Sequence, residues 1–204
     1  MYQLYYAPVT AAMAPQAALE EIGADYELVE VDLKAMPPDY LKLNPHGRIP
    51  TLADDGTVLY EAAAIMLYLA DRHPQAGLAP AAGERDRGHY YQWLLYLADT
   101  VQPAFKRYNY PHRFSTDIHH APAVKAKAVQ DLAEFWGKLD DALDPGPYLL
   151  GERFSGCDLY LHMLSTWVEG DHEPISGFPN VARSVAMVAA RPAVRRMLKA
   201  HGLA

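Results

Sequence analysis

Histidine and carboxylate side chains can ligate metal ions, and the chain carries two short clusters of them. The clusters are His119-His120 and Asp171-His172-Glu173. Their spacing matches no established ligand pattern, and exposed loops account for both. The sequence therefore predicts no metal site.

Cysteine chemistry is limited as well, because Cys157 is the only cysteine among 204 residues. An intramolecular disulfide and a Cys-x-x-Cys redox pair are both excluded. The first basic residue is Lys34, so we expect no secretory or organellar signal. No uncharged run reaches the roughly 18–20 apolar residues of a membrane span. These features favour a cytoplasmic protein without a membrane partner.

Charge is distributed unevenly along the chain. Residues 1–78 hold 11 acidic and four basic side chains, whereas residues 79–204 hold 14 of each. The asymmetry suggests two units of different composition. It also argues against nucleic acid as a partner, since that requires a positive surface. If the acidic part binds an anion, local groups must overcome its field.

Hydrophobic patterning predicts a mixed α/β unit before a stretch at residues 73–83 that is rich in Pro and Gly. Strands are expected at residues 2–6, 26–31, 49–53 and 57–59, and helices at 12–23, about 37–43 and from Ala62 onward. Gly23 is placed as a helix C-cap, and Asp54-Asp55-Gly56 as a hairpin turn. The first β-α-β step implies a right-handed parallel crossover.

The remainder of the chain is predicted to be helical. Apolar stripes recur at three- and four-residue steps, namely Tyr90, Trp93, Leu97 and Val101, then Leu132, Trp136, Leu139 and Leu143. Ser155 and Asp158 form a capping-box pattern before a further helix. Pro192 stands at the first position of a last helix.

Four sequence strings together resemble those of the cytosolic glutathione S-transferase family, and the resemblance is to a bacterial member. They are residues 4–8 (LYYAP), 44–52 (NPHGRIPTL), 59–65 (LYEAAAI) with 68–70 (YLA), and 154–158 (FSGCD). Each string is weak alone, but their order and spacing cover nearly the whole chain. The resemblance implies an α/β thioredoxin-like domain (β-α-β-α-β-β-α) at residues 1–76 that binds glutathione. It further implies an all-α helical domain at residues 84–204 that forms the site of a second substrate.

The resemblance implies an enzyme, a glutathione transferase that stabilises the thiolate of glutathione for attack on an apolar electrophile. Glutathione would be the co-substrate, and the protein would be a homodimer that binds neither nucleic acid nor membrane. Alternatives on the same site are disulfide reduction, peroxide reduction and isomerisation. A non-catalytic member that binds glutathione or another ligand is the remaining alternative.

Glutathione-binding positions follow from the same strings. Ile49-Pro50 resembles the family's cis peptide, which would free the Ile49 backbone to pair with the cysteinyl part of glutathione. The alternative is an ordinary trans proline at an edge strand. Glu61 and Ala62, at a helix N-terminus, would hold the γ-glutamyl end. The family usually has serine at Ala62, so we expect weaker binding. Further candidates, each with a solvent-exposed alternative, are Lys34, His46 and Arg48.

A hydroxyl group is the expected partner of the thiolate. The resemblance places Tyr6 at the catalytic tyrosine of some classes, and Thr10 nearest the catalytic serine of others. Ala11 stands where the bacterial beta class has cysteine, and Gln102 where it has histidine, so a mixed disulfide with the protein is not expected. Tyr6 or Thr10 is predicted, with a backbone N–H or a side chain of the helical domain as the alternative. The other interpretation is a core aromatic at Tyr6 and an N-cap at Thr10.

The second substrate is expected against the helical domain. Residues 105–114 are rich in aromatic and cationic side chains, and an aromatic wall suits an apolar ligand. About half of the candidates are equally compatible with the core between helices. The candidates are Gln102, Phe105, Tyr108, Tyr110, His112 and Trp167.

Overall fold

The computed structural model describes residues 1–168 and 175–203, and the chain divides into two compact units. Unit 1 comprises Met1–Arg87 and Val188–Ala204, and unit 2 comprises Gly88–Met187. The Asp171-His172-Glu173 cluster lies outside the described residues. Across the described ranges, no helix combines the length and apolar character that a membrane crossing requires.

Unit 1 is built on a four-stranded mixed sheet with the strand order β2-β1-β3-β4. The strands are β1 (Tyr2–Tyr6), β2 (Tyr26–Glu30), β3 (Thr51–Asp54) and β4 (Thr57–Tyr60). β1 runs parallel to β2, and β3 runs antiparallel to both β1 and β4. The helices between and after them are α1 (Met13–Ile22), α2 (Pro38–Leu43) and α3 (Ala62–Arg72). The predicted β-α-β-α-β-β-α order is confirmed.

Local sequence signals explain where these elements end. Gly23 terminates α1 with a φ of 70°, and its N–H donates to the Glu20 carbonyl. Pro15 lies in the first turn of α1, where its missing N–H leaves no helical bond unmade. Asp55 and Gly56, both with positive φ, form the tight turn between β3 and β4. The predicted C-cap and hairpin are therefore confirmed.

The core of unit 1 is formed by aliphatic side chains of the strands and of α1 and α3. Leu4, Leu52, Leu19 and Leu69 are all completely buried. Burial of one leucine side chain stabilises a fold by about 1.5–3 kcal/mol. This layer therefore fixes α1 and α3, whose N-terminal ends adjoin the candidate site.

Unit 2 is helical apart from isolated bridges, within the residues described. The helices that lie wholly or mostly within it are α4 (Arg87–Leu95), α5 (Gln102–Asn109), α6 (Ala121–Ala142), α7 (Gly156–Ser165) and α8 (Pro179–Ala189). A π-helical turn, Tyr96–Val101, joins α4 to α5. The second predicted stripe is fully buried. In the first stripe, Tyr90, Leu97 and Val101 are buried, but Trp93 is only half-buried and packs edge-on against Tyr96. Its neighbour Leu94, which the stripe did not include, is completely buried instead.

The predicted capping box at the start of α7 is present. The Ser155 side chain accepts a hydrogen bond from the Cys157 N–H, and Asp158 accepts one from the Ser155 N–H at 2.8 Å. Asp158 also accepts from the Leu149 N–H at 2.9 Å. Burial raises the pKa of Asp158 to about 6, against the opposing effect of these hydrogen bonds. The carboxyl group thus ties the preceding loop to α7.

The last helix, α9 (Pro192–Ala200), belongs to unit 1 and packs on α1. Arg191 donates to the Glu21 carboxylate at 2.6 and 2.8 Å, and Arg196 donates to Glu20 at 2.5 Å. The resemblance implied that these residues belong to the helical domain at residues 84–204. Basic side chains of the chain end instead join the acidic face of α1, a long-range pairing that local patterns do not encode.

This pairing changes the charge balance inferred from the sequence. Unit 1 holds 13 acidic and 10 basic side chains, because α9 and the residues that flank it bring four cations without an acidic residue. The excess of seven acidic groups within residues 1–78 is therefore largely offset. A bound anion meets a much weaker opposing field than the sequence suggested.

Candidate functional site

Thr51 fixes the geometry of the candidate site, because it pairs with Tyr5 of β1 on one side and Tyr60 of β4 on the other. When both antiparallel registers are continued by one residue, Pro50 lies between Tyr6, the last residue of β1, and Glu61, the residue before α3. Neighbouring strands lie about 4.8 Å apart. One end of the sheet therefore brings together the predicted residues Tyr6, Ile49, Pro50, Glu61 and Ala62.

The Ile49–Pro50 peptide bond is cis, as the resemblance implied. Pro50 is buried, and Ile49 is half-buried. A trans proline at an edge strand is excluded. The Ile49 backbone lies just before β3 and outside its hydrogen-bonded pairing with β1 and β4, so an extended peptide could pair with it as an added strand.

Three buried polar side chains flank this peptide, and we call them the Asn44 cluster: Tyr40, Asn44 and Thr51. The Tyr40 hydroxyl donates to the Arg48 carbonyl at 2.5 Å, and the Asn44 amide donates to the same carbonyl at 2.8 Å. Both side chains also bond the Thr51 hydroxyl, at 2.7 and 3.2 Å. The cluster thus holds the chain on both sides of the cis bond. Sequence reasoning quoted Asn44 within a family string but assigned it no role.

The residue before α3 has an unusual backbone. Glu61 adopts φ 72° and ψ 114°, and its exposed side chain makes no capping bond. A non-glycine residue in such a conformation costs on the order of 1–3 kcal/mol, and these positions concentrate at functional sites. Ala62, the first residue of α3, is buried. First-turn N–H groups of a helix lack helical partners, which suits a carboxylate.

The candidate cations of unit 1 are all exposed. Lys34 and Arg48 form no ion pair within the described ranges, and the His46 ring lies edge-on to Tyr60 with centroids 5.7 Å apart. Lys34 lies in a loop, where its own backbone N–H donates to the Asp32 carboxylate at 2.8 Å. These side chains are therefore available to an anionic ligand.

A cavity of about 770 Å³ opens at the carboxyl ends of β1 and β2. Ala7, Pro8 and residues 30–34 line it. The lining combines apolar side chains with Glu30, Asp32 and Lys34, so it offers both a hydrophobic and a charged wall.

Tyr6 lies at the end of β1 with a half-buried side chain. Its hydroxyl donates to Glu30 at 3.5 Å, which is a long and weak contact. Burial first, and then Glu30, raise the pKa of Tyr6, so the phenol stays protonated and can act as a donor. Tyr2 and Leu4 of the same strand are buried, whereas Tyr6 is only half-buried, so the alternative of a core aromatic does not hold for Tyr6.

Thr10 is committed to the turn before α1. Its hydroxyl donates to the Ala7 carbonyl at 2.7 Å and accepts from the Ala12 N–H at 3.4 Å. The N-cap position of α1 is Ala12, so Thr10 stabilises the turn and not the helix end itself. Among the described residues, the backbone N–H groups of Thr10 and Ala11 have no hydrogen-bond partner.

His201, one residue after α9, is a residue that sequence reasoning missed. Its Nδ1 accepts from the Val9 N–H at 3.0 Å, and its ring lies edge-on to Tyr6 with centroids 5.4 Å apart. The two hydrogen-bonded residues are 192 positions apart, so no local pattern could have paired them.

Unit 2 contains the candidates for the second substrate. Gln102 is buried at the start of α5 and accepts a short hydrogen bond from the Tyr160 hydroxyl. Phe105 is 1% exposed, with Trp136 and Trp167 edge-on to it at 6.2 and 5.8 Å. The interpretation of Phe105 as a core residue between helices is therefore the correct one.

The remaining candidates of unit 2 reach solvent. Lys125 lies 4.5 Å from the ring centre of half-buried Tyr108, and Arg113 lies 4.4 Å from that of exposed Tyr110. His112 is exposed in a short turn, and Trp167 is half-buried. Their arrangement can offer aromatic and cationic contacts to a ligand of unit 2.

The other chemically interesting side chains do not form a site. His119 and His120 are exposed in a 3₁₀ turn, Ile118–His120. No group of three or more His, Cys, Asp or Glu side chains within the part of the chain that is described could hold a metal ion. Cys157 is buried and its pKa is raised well above the usual value by burial, so its thiol is not a nucleophile.

Comparisons with known proteins show what the whole chain is similar to. The family model for the glutathione S-transferase N-terminal domain matches residues 2–71. Glutathione S-transferase GstA of Escherichia coli O157:H7 is 32% identical over 98% of this chain and 99% of its own. A disulfide-bond oxidoreductase, YfcG of Escherichia coli K12, is 27% identical over 98% of this chain and 96% of its own. A sphingomonad glutathione S-transferase, solved in complex with glutathione, superimposes with a TM-score of 0.87 at 35% identity, covering 99% of this chain and 100% of that one.

Proposed function

The chain belongs to the glutathione S-transferase family, and from this premise we propose how its residues bind glutathione and activate the thiol. The protein is a glutathione transferase: it holds glutathione and stabilises its thiolate for attack on a second substrate. The observation that carries the proposal is the convergence of the β1 end, the cis Ile49–Pro50 peptide and the start of α3 at one end of the sheet.

Glutathione lies along this end as an extended peptide. Its cysteinyl moiety pairs with the Ile49 backbone, and the Asn44 cluster keeps that backbone in place. Its γ-glutamyl carboxylate meets the N-terminus of α3 at Ala62, while Glu61 accepts from its ammonium group. Its glycyl carboxylate meets one or more of the exposed cations Lys34, His46 and Arg48.

The thiol of glutathione then lies beside the turn between β1 and α1. Tyr6 is the better hydroxyl donor, because its contact with Glu30 is long, whereas the Thr10 proton is held by the Ala7 carbonyl at 2.7 Å. The N–H groups of Thr10 and Ala11, which bond no other described residue, offer additional donors. Donors aimed at a sulfur anion lower its pKa and raise the thiolate fraction at neutral pH. The thiolate sulfur then forms the new bond to the electrophile.

Other parts of the proposal concern partners. We assign the second substrate to the class of apolar electrophiles, supported by the aromatic side chains Tyr108, Tyr110 and Trp167 of unit 2. Gln102 and His112 of the same unit are the polar candidates. We also propose that the protein is a homodimer, which membership of the family supports. A cytoplasmic location is supported by the single, reduced cysteine. Light scattering of the purified chain tests the dimer.

Disulfide reduction is the second candidate activity, and the similarity to the oxidoreductase YfcG favours it. The same glutathione thiolate would attack a disulfide sulfur and expel the other sulfur as a thiolate. Since Ala11 is no thiol and Cys157 is buried, every exchange step would use glutathione and no protein cysteine. Turnover of an activated aryl halide against turnover of a small disulfide separates the two activities.

Calorimetric titration with glutathione and with γ-glutamylcysteine, which lacks the glycyl residue, tests the binding mode. Arg48→Ala should weaken glutathione binding about two- to fivefold, as loss of one exposed ion pair does. The same change should leave γ-glutamylcysteine binding unaltered. Lys42→Ala is the matched control, because Lys42 is an exposed cation of the same unit that already pairs with Asp39. Equal weakening by both variants, or no binding of glutathione by the wild type, contradicts the proposal.

A further inference from the structure

The imidazole of His201 joins three parts of unit 1 that surround the proposed thiol position. Its Nδ1 accepts from the Val9 N–H at 3.0 Å, in the turn between β1 and α1. Its Nε2 bonds the Gln16 side chain of α1 at 2.8 Å. Its ring contacts Tyr6 at the end of β1. His201 itself is only 4% exposed, and its contact with Gln16 is buried.

The proton positions in this chain of contacts follow from a carboxylate at its far end. Glu20 can only accept, so the Tyr26 hydroxyl, 2.6 Å away, donates to it. The Tyr26 oxygen therefore accepts from the Gln16 amide nitrogen at 3.1 Å. That orientation turns the Gln16 carbonyl toward His201, whose Nε2 must then carry the proton. Nδ1 is left bare, as an acceptor for the Val9 N–H.

The charged and titratable groups beside this series of hydrogen bonds are compatible with a proton on Nε2 of His201. Arg196 of α9 donates to the Glu20 carboxylate at 2.5 Å, and Arg191 pairs with Glu21. Of the groups that touch His201 itself, Tyr6 stays neutral and Gln16 is uncharged. Burial lowers the pKa of His201 to about 4, so its neutral form persists at physiological pH.

The backbone of Val9 is strained, and its hydrogen bond to His201 helps to maintain it. Its φ of 53° is in the left-handed region, which a β-branched residue rarely adopts, and its side chain is exposed. Packing of the side chain therefore does little to maintain this backbone. The hydrogen bond from its N–H to His201 is the contact that fixes this backbone, immediately before the N–H groups of Thr10 and Ala11.

We propose that His201 is a positioning residue for thiol activation: through Val9 it sets the turn that presents the Thr10 and Ala11 N–H groups and the Tyr6 ring to glutathione. The inference rests on the proposed function for its catalytic consequence. His201 itself does not touch glutathione. Loss of the Val9 contact should therefore reduce thiolate formation more than glutathione binding.

Two substitutions separate the roles of the two imidazole nitrogens, Nδ1 and Nε2. Asn carries a carbonyl oxygen at the place of Nδ1, so His201→Asn keeps an acceptor for Val9. Gln places its amide near Nε2, so His201→Gln keeps the contact with Gln16 and loses the one with Val9. Arg191→Gln is the control, since it weakens the junction of α9 with α1 and leaves the imidazole intact.

The measurement is the apparent pKa of bound glutathione thiol, from thiolate absorbance against pH, beside the dissociation constant. We expect His201→Gln to raise the pKa of the bound thiol by about one unit. At pH values below that pKa, the thiolate fraction should fall roughly tenfold, whereas the affinity for glutathione should change less than threefold. His201→Asn and Arg191→Gln should stay near the wild type. Equal shifts in His201→Asn and His201→Gln, or none in either, overturn the proposal.

Nitrogen NMR of the ligand-free wild type tests the geometry apart from the function. A bare Nδ1 and a protonated Nε2 between pH 5.5 and 8, with a Val9 amide protected from exchange, are expected. A His201 ring that titrates near its ordinary pKa of about 6.5 overturns the proposal, even if glutathione binds. Failure of the wild type to bind glutathione refutes the proposed function, while these NMR results still decide the geometry.

Discussion

The Thr10 hydroxyl donates to the Ala7 carbonyl at 2.7 Å, so its only proton is used within the turn before α1. The Tyr6 hydroxyl has a contact of 3.5 Å with Glu30, which a closer acceptor can replace. These two distances rank the candidate donors to a bound thiolate, which the sequence left open.

Tyr6→Phe should raise the apparent pKa of bound glutathione thiol by about one unit, because it removes a donor worth roughly 1–1.5 kcal/mol to the anion. Thr10→Val should shift it by a few tenths at most. Thr10→Val should instead lower the free energy of unfolding by about 1 kcal/mol through loss of the turn bond. Thiolate absorbance and chemical denaturation measure the two effects. A larger thiol shift in Thr10→Val would reverse the assignment.

Ala62→Ser should strengthen glutathione binding. The substitution adds a hydroxyl at the first residue of α3, where the γ-glutamyl carboxylate is placed. A hydrogen bond to a charged group contributes about 1.5–3 kcal/mol, which is a tenfold or greater gain in affinity. Calorimetry measures the dissociation constant. Ala64→Ser, on an exposed face of the same helix, is the control and should leave affinity unchanged. An unaltered affinity in Ala62→Ser places the carboxylate elsewhere.

Asn44→Ala should weaken both the fold and glutathione binding. It leaves the buried Thr51 hydroxyl and the Arg48 carbonyl with fewer partners, at a cost of about 1–3 kcal/mol to stability. Because the Arg48 carbonyl adjoins Ile49, affinity should also fall, by about threefold or more. Denaturation and calorimetry give the two numbers, with exposed Asn109→Ala as the control. Loss of stability without loss of affinity would show that the Asn44 cluster does not support the glutathione site.

Stability should fall as the pH drops from about 6.5 to 4. Burial lowers the pKa values of His162 and His201 to about 4, so in that window the unfolded chain binds protons that the folded chain does not. Each histidine then costs up to about 2–3 kcal/mol at acid pH. Asp158 acts in the opposite sense, because its raised pKa of about 6 makes the folded state bind a proton first.

His201→Asn isolates one of these contributions. Near pH 5 its unfolding free energy should change with pH by about 1.4 kcal/mol per unit less than that of the wild type. Denaturant titrations at several pH values give this slope. An identical slope in the two proteins would mean that His201 is not held neutral in the fold.

Much of the fold follows from local signals in the sequence. Gly23 stops α1, Asp55-Gly56 turns the hairpin, and Ser155 with Asp158 caps α7, each through bonds between near neighbours. Stripes of apolar residues gave the helices, although they placed Trp93 where Leu94 is buried. The π-helical turn at Tyr96–Val101 has no such local marker.

The candidate site was only partly predictable. Resemblance supplied Tyr6, the Ile49-Pro50 peptide and Glu61, and the pairing of Thr51 explains why they converge. The contact of His201 with Val9 was out of reach, because it depends on α9 packing against α1 from the far end of the chain. Side chains that act through another residue carry no motif of their own.

One measurement tests the central claim most directly: titration of the thiolate absorbance of glutathione bound to the wild-type protein. Free thiols of this kind ionise near pH 8.5. The account predicts binding with an apparent thiol pKa at least one unit lower, and restoration of the ordinary value when Tyr6→Phe and His201→Gln are combined. Bound glutathione with an unshifted thiol pKa, or no binding at millimolar concentration, would contradict it.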